Sequence, residues 1–159
     1  MNARVTGLIE TLQLQPHPEG GWYRETFRSP QQVRREADGA LRSGLTTIFF
    51  LLAGGDVSRW HRVRSDEAWH HYEGAPLELL SFAADGSQPT VVRLGADAAS
   101  RMHVVPAGWW QAARPRGDYA LVGCSVGPGF DFADFALLGD LPAAQRPPSP
   151  ALPDFARFV

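Results

Sequence analysis

An imidazole and a carboxylate stand six residues apart, at His61 and Glu67, between Gly55 and Gly74, in the spacing G-x5-H-x5-E-x6-G. Thirty-two residues after Gly74 begins Pro106-Ala107-Gly108. Glycines permit tight turns, and in a strand-turn-strand of this length His61 and Glu67 project into a small barrel at one level. A converging imidazole and carboxylate serve either metal ligation or acid-base chemistry. Alone, His61 reads as a core histidine satisfied by a backbone carbonyl, and Glu67 as a surface carboxylate. Together, between two glycines and followed by a P-x-G turn, they form the candidate catalytic pair. An imidazole beside Glu67 also meets the rule that buried charge is paired.

Strand alternation adds further candidates. Glu67, Trp69 and His71 share one face, which is taken as the interior, and Trp60, Arg62, His70 and Tyr72 take the other. Arg59, two residues before His61, is a candidate anion contact on the same face as His61. Trp109 shares a face with Gln111, so Trp109 is expected to line a pocket beside Gln111, with Trp110 packing outward. Gln111 either contacts a ligand or bridges two strands. In Glu19-Gly20-Gly21-Trp22-Tyr23-Arg24-Glu25 the paired glycines allow close backbone approach, making Tyr23 and Arg24 candidate ligand contacts. Tyr23, Tyr72 and Tyr119 are the available phenolic acids. His17 and His103 lie outside any ligand spacing and read as structural. Cys124, in an apolar run, reads as a buried structural thiol.

The elements that must hold these residues are mainly strands. Leu8, Ile9 and Leu12 recur at helical spacing, which predicts one short helix from about residue 6 to 14, ended by Pro16 and Pro18. Beyond it, turn signals recur at short intervals. They separate segments rich in β-branched and aromatic residues at 45–52, 77–82, 91–94, 102–105 and 119–126. Such a pattern predicts an all-β fold. Residues 45–52 are apolar on both faces, which suits a strand covered by barrel interior on one side and by a helix or partner subunit on the other. The segment 141–159 carries five prolines and two phenylalanines near its end, and reads as a wrapped extension with aromatic anchors. One domain over 1–159 is expected, with its core at about 17–138 and the extension over 139–159.

The first motif resembles that of the cupin superfamily, G-x5-H-x-H-x3-E-x6-G, whose two histidines and glutamate bind a metal. Residues 100–115 resemble the second, G-x5-P-x-G-x2-H-x3-N. Here Val63 replaces the second histidine, Ser100 the first glycine of the second motif, Gln111 its histidine and Pro115 its asparagine. A closer resemblance is carried by the runs at 17–25, 58–63, 66–70 and 105–111, which are similar to the small cupin family five. It implies a double-stranded β-helix, the cupin jelly-roll barrel, with a short N-terminal helix, usually dimeric and similar in shape to nucleotide-sugar epimerases; it implies no established activity. The metal set that the resemblance admits is His61, Glu67, His71 and Gln111 around a divalent ion. Without an inward His71 this leaves two strong ligands and an amide, a weak zinc site.

The chain of 159 residues is 44% hydrophobic, with 15 basic and 17 acidic residues. It has no Lys/Arg-rich run of the kind that binds phosphate backbones, so nucleic acid is not an expected partner. No apolar stretch reaches a membrane span and the start lacks a signal pattern, so the protein is expected to be cytoplasmic. The single cysteine excludes an internal disulfide framework. Three functions remain open: a metal-free epimerase- or isomerase-like enzyme acting on a sugar-like or carbonyl substrate through His61 and Glu67; a divalent-metal cupin enzyme; and a non-catalytic small-ligand module. Each expects a small-molecule partner, and the resemblance adds a homodimer.

Overall fold

The computed structural model describes residues 2–159. Helix α1 (Ala3–Leu12) is capped by the Asn2 side chain, which accepts from the Arg4 amide, and it ends where Gln13 turns left-handed. These caps place it a few residues earlier than the apolar spacing predicts. Thirteen strands follow: β1 (Gln15–Pro16), β2 (Trp22–Arg28), β3 (Gln32–Arg34), β4 (Leu41–Ser43), β5 (Thr46–Ala53), β6 (Ser58–Arg62), β7 (Asp66–Gly74), β8 (Leu77–Phe82), β9 (Thr90–Leu94), β10 (Met102–Val105), β11 (Trp110–Pro115), β12 (Tyr119–Gly127) and β13 (Ala136–Leu137).

They form two antiparallel sheets facing each other, in the orders β1-β2-β5-β12-β7-β10 and β13-β6-β11-β8-β9, with β3 and β4 as a separate hairpin. This is the all-β fold that the turn spacing predicts and the jelly roll that the cupin resemblance implies. One part of the interior is filled by Phe50, Leu52, Trp69, Leu77, Leu79, Leu94 and Val122, all buried. On the outer face of β5, Leu51 packs with Val5 and Leu8 of α1. A helix of the same chain therefore accounts for the strand's second apolar face. The proline-rich tail wraps the smaller sheet. Phe155 and the fully buried Phe158 pack on Trp60 and Phe82, and the Trp60 indole N–H donates to the Phe155 carbonyl at 3.0 Å.

Candidate functional site

The rest of the interior is left open as a cavity of about 350 Å³, at the small end for ligand pockets. Its buried polar lining gathers chiefly from four places. β6 supplies His61, β7 Glu67, β12 Cys124, and the loop before β2 supplies His17 and Glu19. Phe130, Phe132 and Phe135, after β12, form an aromatic wall with ring centroids 4.8 to 6.1 Å apart, and Phe135 stacks on His61 at 5.7 Å.

The loop explains how Glu19 arrives. Gly20 has φ +107°, and a Cβ there would run into the Val57 carbonyl oxygen, so the chain turns tightly against the start of β6. The His17 amide donates to the Gly21 carbonyl at 3.0 Å and the Arg59 amide to the Glu19 carbonyl at 2.7 Å. In consequence the Glu19 carboxyl lies beneath His61. Ser58 Oγ–H donates to Glu19 Oε1 at 2.9 Å, and Glu19 Oε2 stands 3.1 Å from His61 Nε2. His61 Nδ1 is 2.7 Å from the Arg59 carbonyl. A carbonyl only accepts, so Nδ1 carries the proton and Nε2 of the neutral ring is left with its lone pair toward Glu19.

Burial sets the charges. It lowers the His61 pKa, against the opposing influence of Glu67 and the Arg59 carbonyl, and lowers His17 to about 3, helped by His61. It raises Glu19 to about 8 although Ser58 and Arg59 pull the other way. Burial also raises Glu67, against His61 and the Gln111 hydrogen bond, and pushes the Cys124 thiol well up, away from thiolate chemistry. At neutral pH the imidazole is therefore unprotonated and Glu19 largely a carboxylic acid. One proton is shared between Glu19 Oε2 and His61 Nε2.

Gln111 is paired in register with His61 and spans the barrel. The Trp69 indole N–H can only donate, and at 2.8 Å it fixes Gln111 Oε1 as its acceptor. The amide NH2 is thereby turned to Glu67 Oε2, at 2.5 Å. This orientation decides the fit of the metal set implied by the cupin resemblance. The only coordinating atom of Gln111 is already engaged, Val63 has none, and His71 Nε2 bonds the Ala75 carbonyl at 2.9 Å at the far end of β7. Among the described residues no three His, Cys, Asp or Glu side chains are grouped to hold an ion. The donor set does not fit such a centre.

Of the residues singled out in the sequence, His61, Glu67 and Tyr23 line the cavity. Gln111 and Trp69 stand behind Glu67. Trp109 packs against the filled part of the core, where Trp69 also lies, and Trp110 joins the layer under the tail. His71 is buried on the interior side but outside the cavity, whereas Arg59 donates to the Pro18 carbonyl at 2.7 Å and Arg24 to the Leu12 carbonyl at 3.3 Å. Tyr72 lies over Gly123, and Tyr119 donates to Glu73 at 2.7 Å. Sequence reasoning missed Glu19 and the phenylalanine wall and set His17 aside as structural. Only the density of the 17–25 run and of the aromatics after Gly129 marked them.

Two facing antiparallel sheets enclosing a cavity lined by motif residues define a cupin barrel. The chain belongs to the family described as Cupin superfamily (DUF985), which matches residues 6–138. It is similar to a hypothetical protein from Leishmania major, with 35% identity over 82% of this chain and 85% of that one and a TM-score of 0.77. A protein from Shewanella oneidensis is likewise 35% identical, over 86% and 84%, with a TM-score of 0.74. Oxalate decarboxylase of Bacillus subtilis shares the fold at 14% identity and a TM-score of 0.57, over 79% of this chain and 30% of that one. No curated protein matches the chain. Among the described residues no helix is long and apolar enough to cross a membrane.

Proposed function

We propose that this cupin is a metal-independent acid-base enzyme of the epimerase or isomerase kind, moving a proton next to the carbonyl of a small sugar-like substrate. The observation that carries this is the Glu19–His61 pair, Oε2 to Nε2 at 3.1 Å, on a cavity floor shared with Glu67. The pair holds one transferable proton, and Glu67 is a second proton acceptor whose basicity burial raises. Glu67 takes the proton from the carbon beside the carbonyl. The C–H electron pair becomes the C=C bond of an enol, and the carbonyl oxygen takes the one proton held between Glu19 Oε2 and His61 Nε2, which leaves Glu19 as carboxylate and His61 neutral. Running the steps back with the proton returned to a different face or carbon gives the isomer. Tyr23 is the phenol within reach of the cavity. The reaction is assigned to these groups because Gln111 turns its N–H donors to Glu67 and keeps its one ligand atom engaged with Trp69. The chain has no lysine, its 15 basic residues all being arginine, so a Schiff base to the substrate has no side-chain amine to form on.

Proton exchange tests the reading. Small hydroxyketones, aldoses and nucleotide sugars are incubated with the protein in deuterium oxide, and carbon-bound deuterium is followed by NMR for wild type and His61→Asn, with circular dichroism confirming the fold. Wild type should exchange at least one class, and the variant should be slower by at least about 10²-fold. Wild type that exchanges none of them, or a variant that exchanges at the full rate, overturns the proposal.

A further inference from the structure

The charge of the cavity asks for something the chain does not supply. Four carboxyl groups line it, those of Glu19, Glu25, Glu67 and Asp131, against one guanidinium, that of Arg28; Glu19 is held largely protonated by burial and Glu25 and Asp131 are exposed, which leaves Glu67 as the buried carboxyl without a cation. Arg28 is already spent: Nε and Nη2 hold the two Glu25 oxygens at 2.9 Å each, and Nη2 also donates to the Phe130 carbonyl at 3.0 Å. Glu67 is more than nine-tenths buried. Its Oε2 takes the Gln111 amide, but Oε1 meets no nitrogen or hydroxyl donor among the described residues. Besides Gln111, its hydrogen-bonding neighbour is the Cys124 thiol, a weak donor. The other side of the same space is the wall of Phe130, Phe132 and Phe135. Aromatic faces carry negative potential and attract cations, most strongly where water is excluded. Buried carboxylates likewise require a cationic partner.

We infer that the cavity binds a small organic cation, an alkylammonium group seated between Glu67 and the phenylalanine wall. Neither imidazole competes for this role, since His17 and His61 are held neutral by burial. A cavity of about 350 Å³ holds one such molecule and leaves the Glu19–His61 pair beside it. The inference shares Glu67 and the cavity with the proton-transfer reading but does not depend on it, because it concerns which ligand charge is held and involves no turnover.

Matched probes test it by calorimetric titration of the full chain. Choline and 3,3-dimethyl-1-butanol have nearly the same shape and differ in charge, and phenethylamine with 2-phenylethanol gives a larger pair. Each cation should bind at least about tenfold more tightly than its neutral counterpart. Glu67→Gln, close to isosteric, should abolish that preference while retaining the circular dichroism of wild type. Phe135→Leu should weaken choline more than the alcohol. Equal binding within both pairs, no saturable binding of either cation, or an undiminished preference in a folded Glu67→Gln protein would overturn the inference. Loss of isotope exchange in His61→Asn is a separate result and leaves it untouched.

Discussion

Replacing Glu19 by glutamine keeps the shape of the side chain under His61 and removes its ability to ionise. The native residue is 6% exposed, and burial carries its pKa from 4.5 to about 8 against the pull of Ser58 and Arg59. The folded value lies above the unfolded one. Over that interval the native state therefore keeps a proton that the unfolded chain has released, and stability falls as pH rises. The contribution is whole below about pH 4.5, declines through neutrality and is gone above about pH 8. At about 1.4 kcal/mol per pH unit, the loss amounts to about 4–5 kcal/mol, comparable with half the stability of an ordinary domain. Glutamine has no such proton to lose, and its amide accepts from Ser58 and donates to His61 Nε2 in the places the acid used. His17 and His61 titrate in both proteins, and because the Glu19 charge also raises Glu67, the difference between them reports Glu19 together with its coupling to Glu67. In urea titrations the two proteins should unfold at similar midpoints near pH 5. By about pH 9 the variant should be the more stable by several kcal/mol, a midpoint gap of about 2 M for a slope near 2 kcal/mol/M. Parallel midpoints across that range would show that the Glu19 carboxyl ionises as freely in the fold as outside it, and the one-proton pair with His61 would fall.

Three further outcomes follow from the same geometry. Gln111→Leu strands the Trp69 indole N–H and strips Glu67 of its amide donor, and should cost about 2–4 kcal/mol in chemical denaturation; a loss below about 1 kcal/mol would mean that water or a rearranged side chain replaces the bridge. Gly20→Ala, at φ +107° against Val57, should destabilise by more than about 2 kcal/mol and abolish isotope exchange by displacing Glu19, and a variant with wild-type exchange would refute the loop's positioning role. Elemental analysis of gently purified protein should find divalent metal well below one per chain and unchanged in His61→Ala. Stoichiometric metal that the substitution removes would overturn the metal-free reading.

Turn spacing made the strands legible because period-two segments between glycine- and proline-rich turns have few other ways to bury their apolar faces. Helix α1 was legible as an element but not at its ends, which Asn2 and Gln13 decide through caps rather than apolar spacing. The candidate site shows where one-dimensional pattern stops. Alternation gives the face of a side chain, not its depth. Glu67 and His71 share a side of β7, but four residues of strand separate them by about 13 Å, enough to put one in the cavity and the other beside the Ala75 turn. Glu19 was unreadable for a different reason. It sits in a loop with no strand parity, and its approach to His61 depends on Gly20 folding against Val57, a contact between segments distant in sequence. The phenylalanine wall likewise depends on the chain folding back across the barrel after β12.

The Trp69–Gln111 hydrogen bond also governs how a metal centre could be engineered into this barrel. Val63→His alone adds one ligand opposite an amide that still presents its nitrogen. Changing Gln111→His as well creates a conflict: an imidazole that binds an ion through one nitrogen carries a proton on the other, and the Trp69 indole would confront it donor to donor. Only with a third change, Trp69→Phe, do the two positions become compatible. Each single step exposes an unmet donor or gains an incomplete set of ligands, so the route to metal chemistry runs through intermediates worse than either end. One tryptophan, outside the cavity and bound to no ligand, thus makes this barrel's present donor set hard to leave by stepwise substitution.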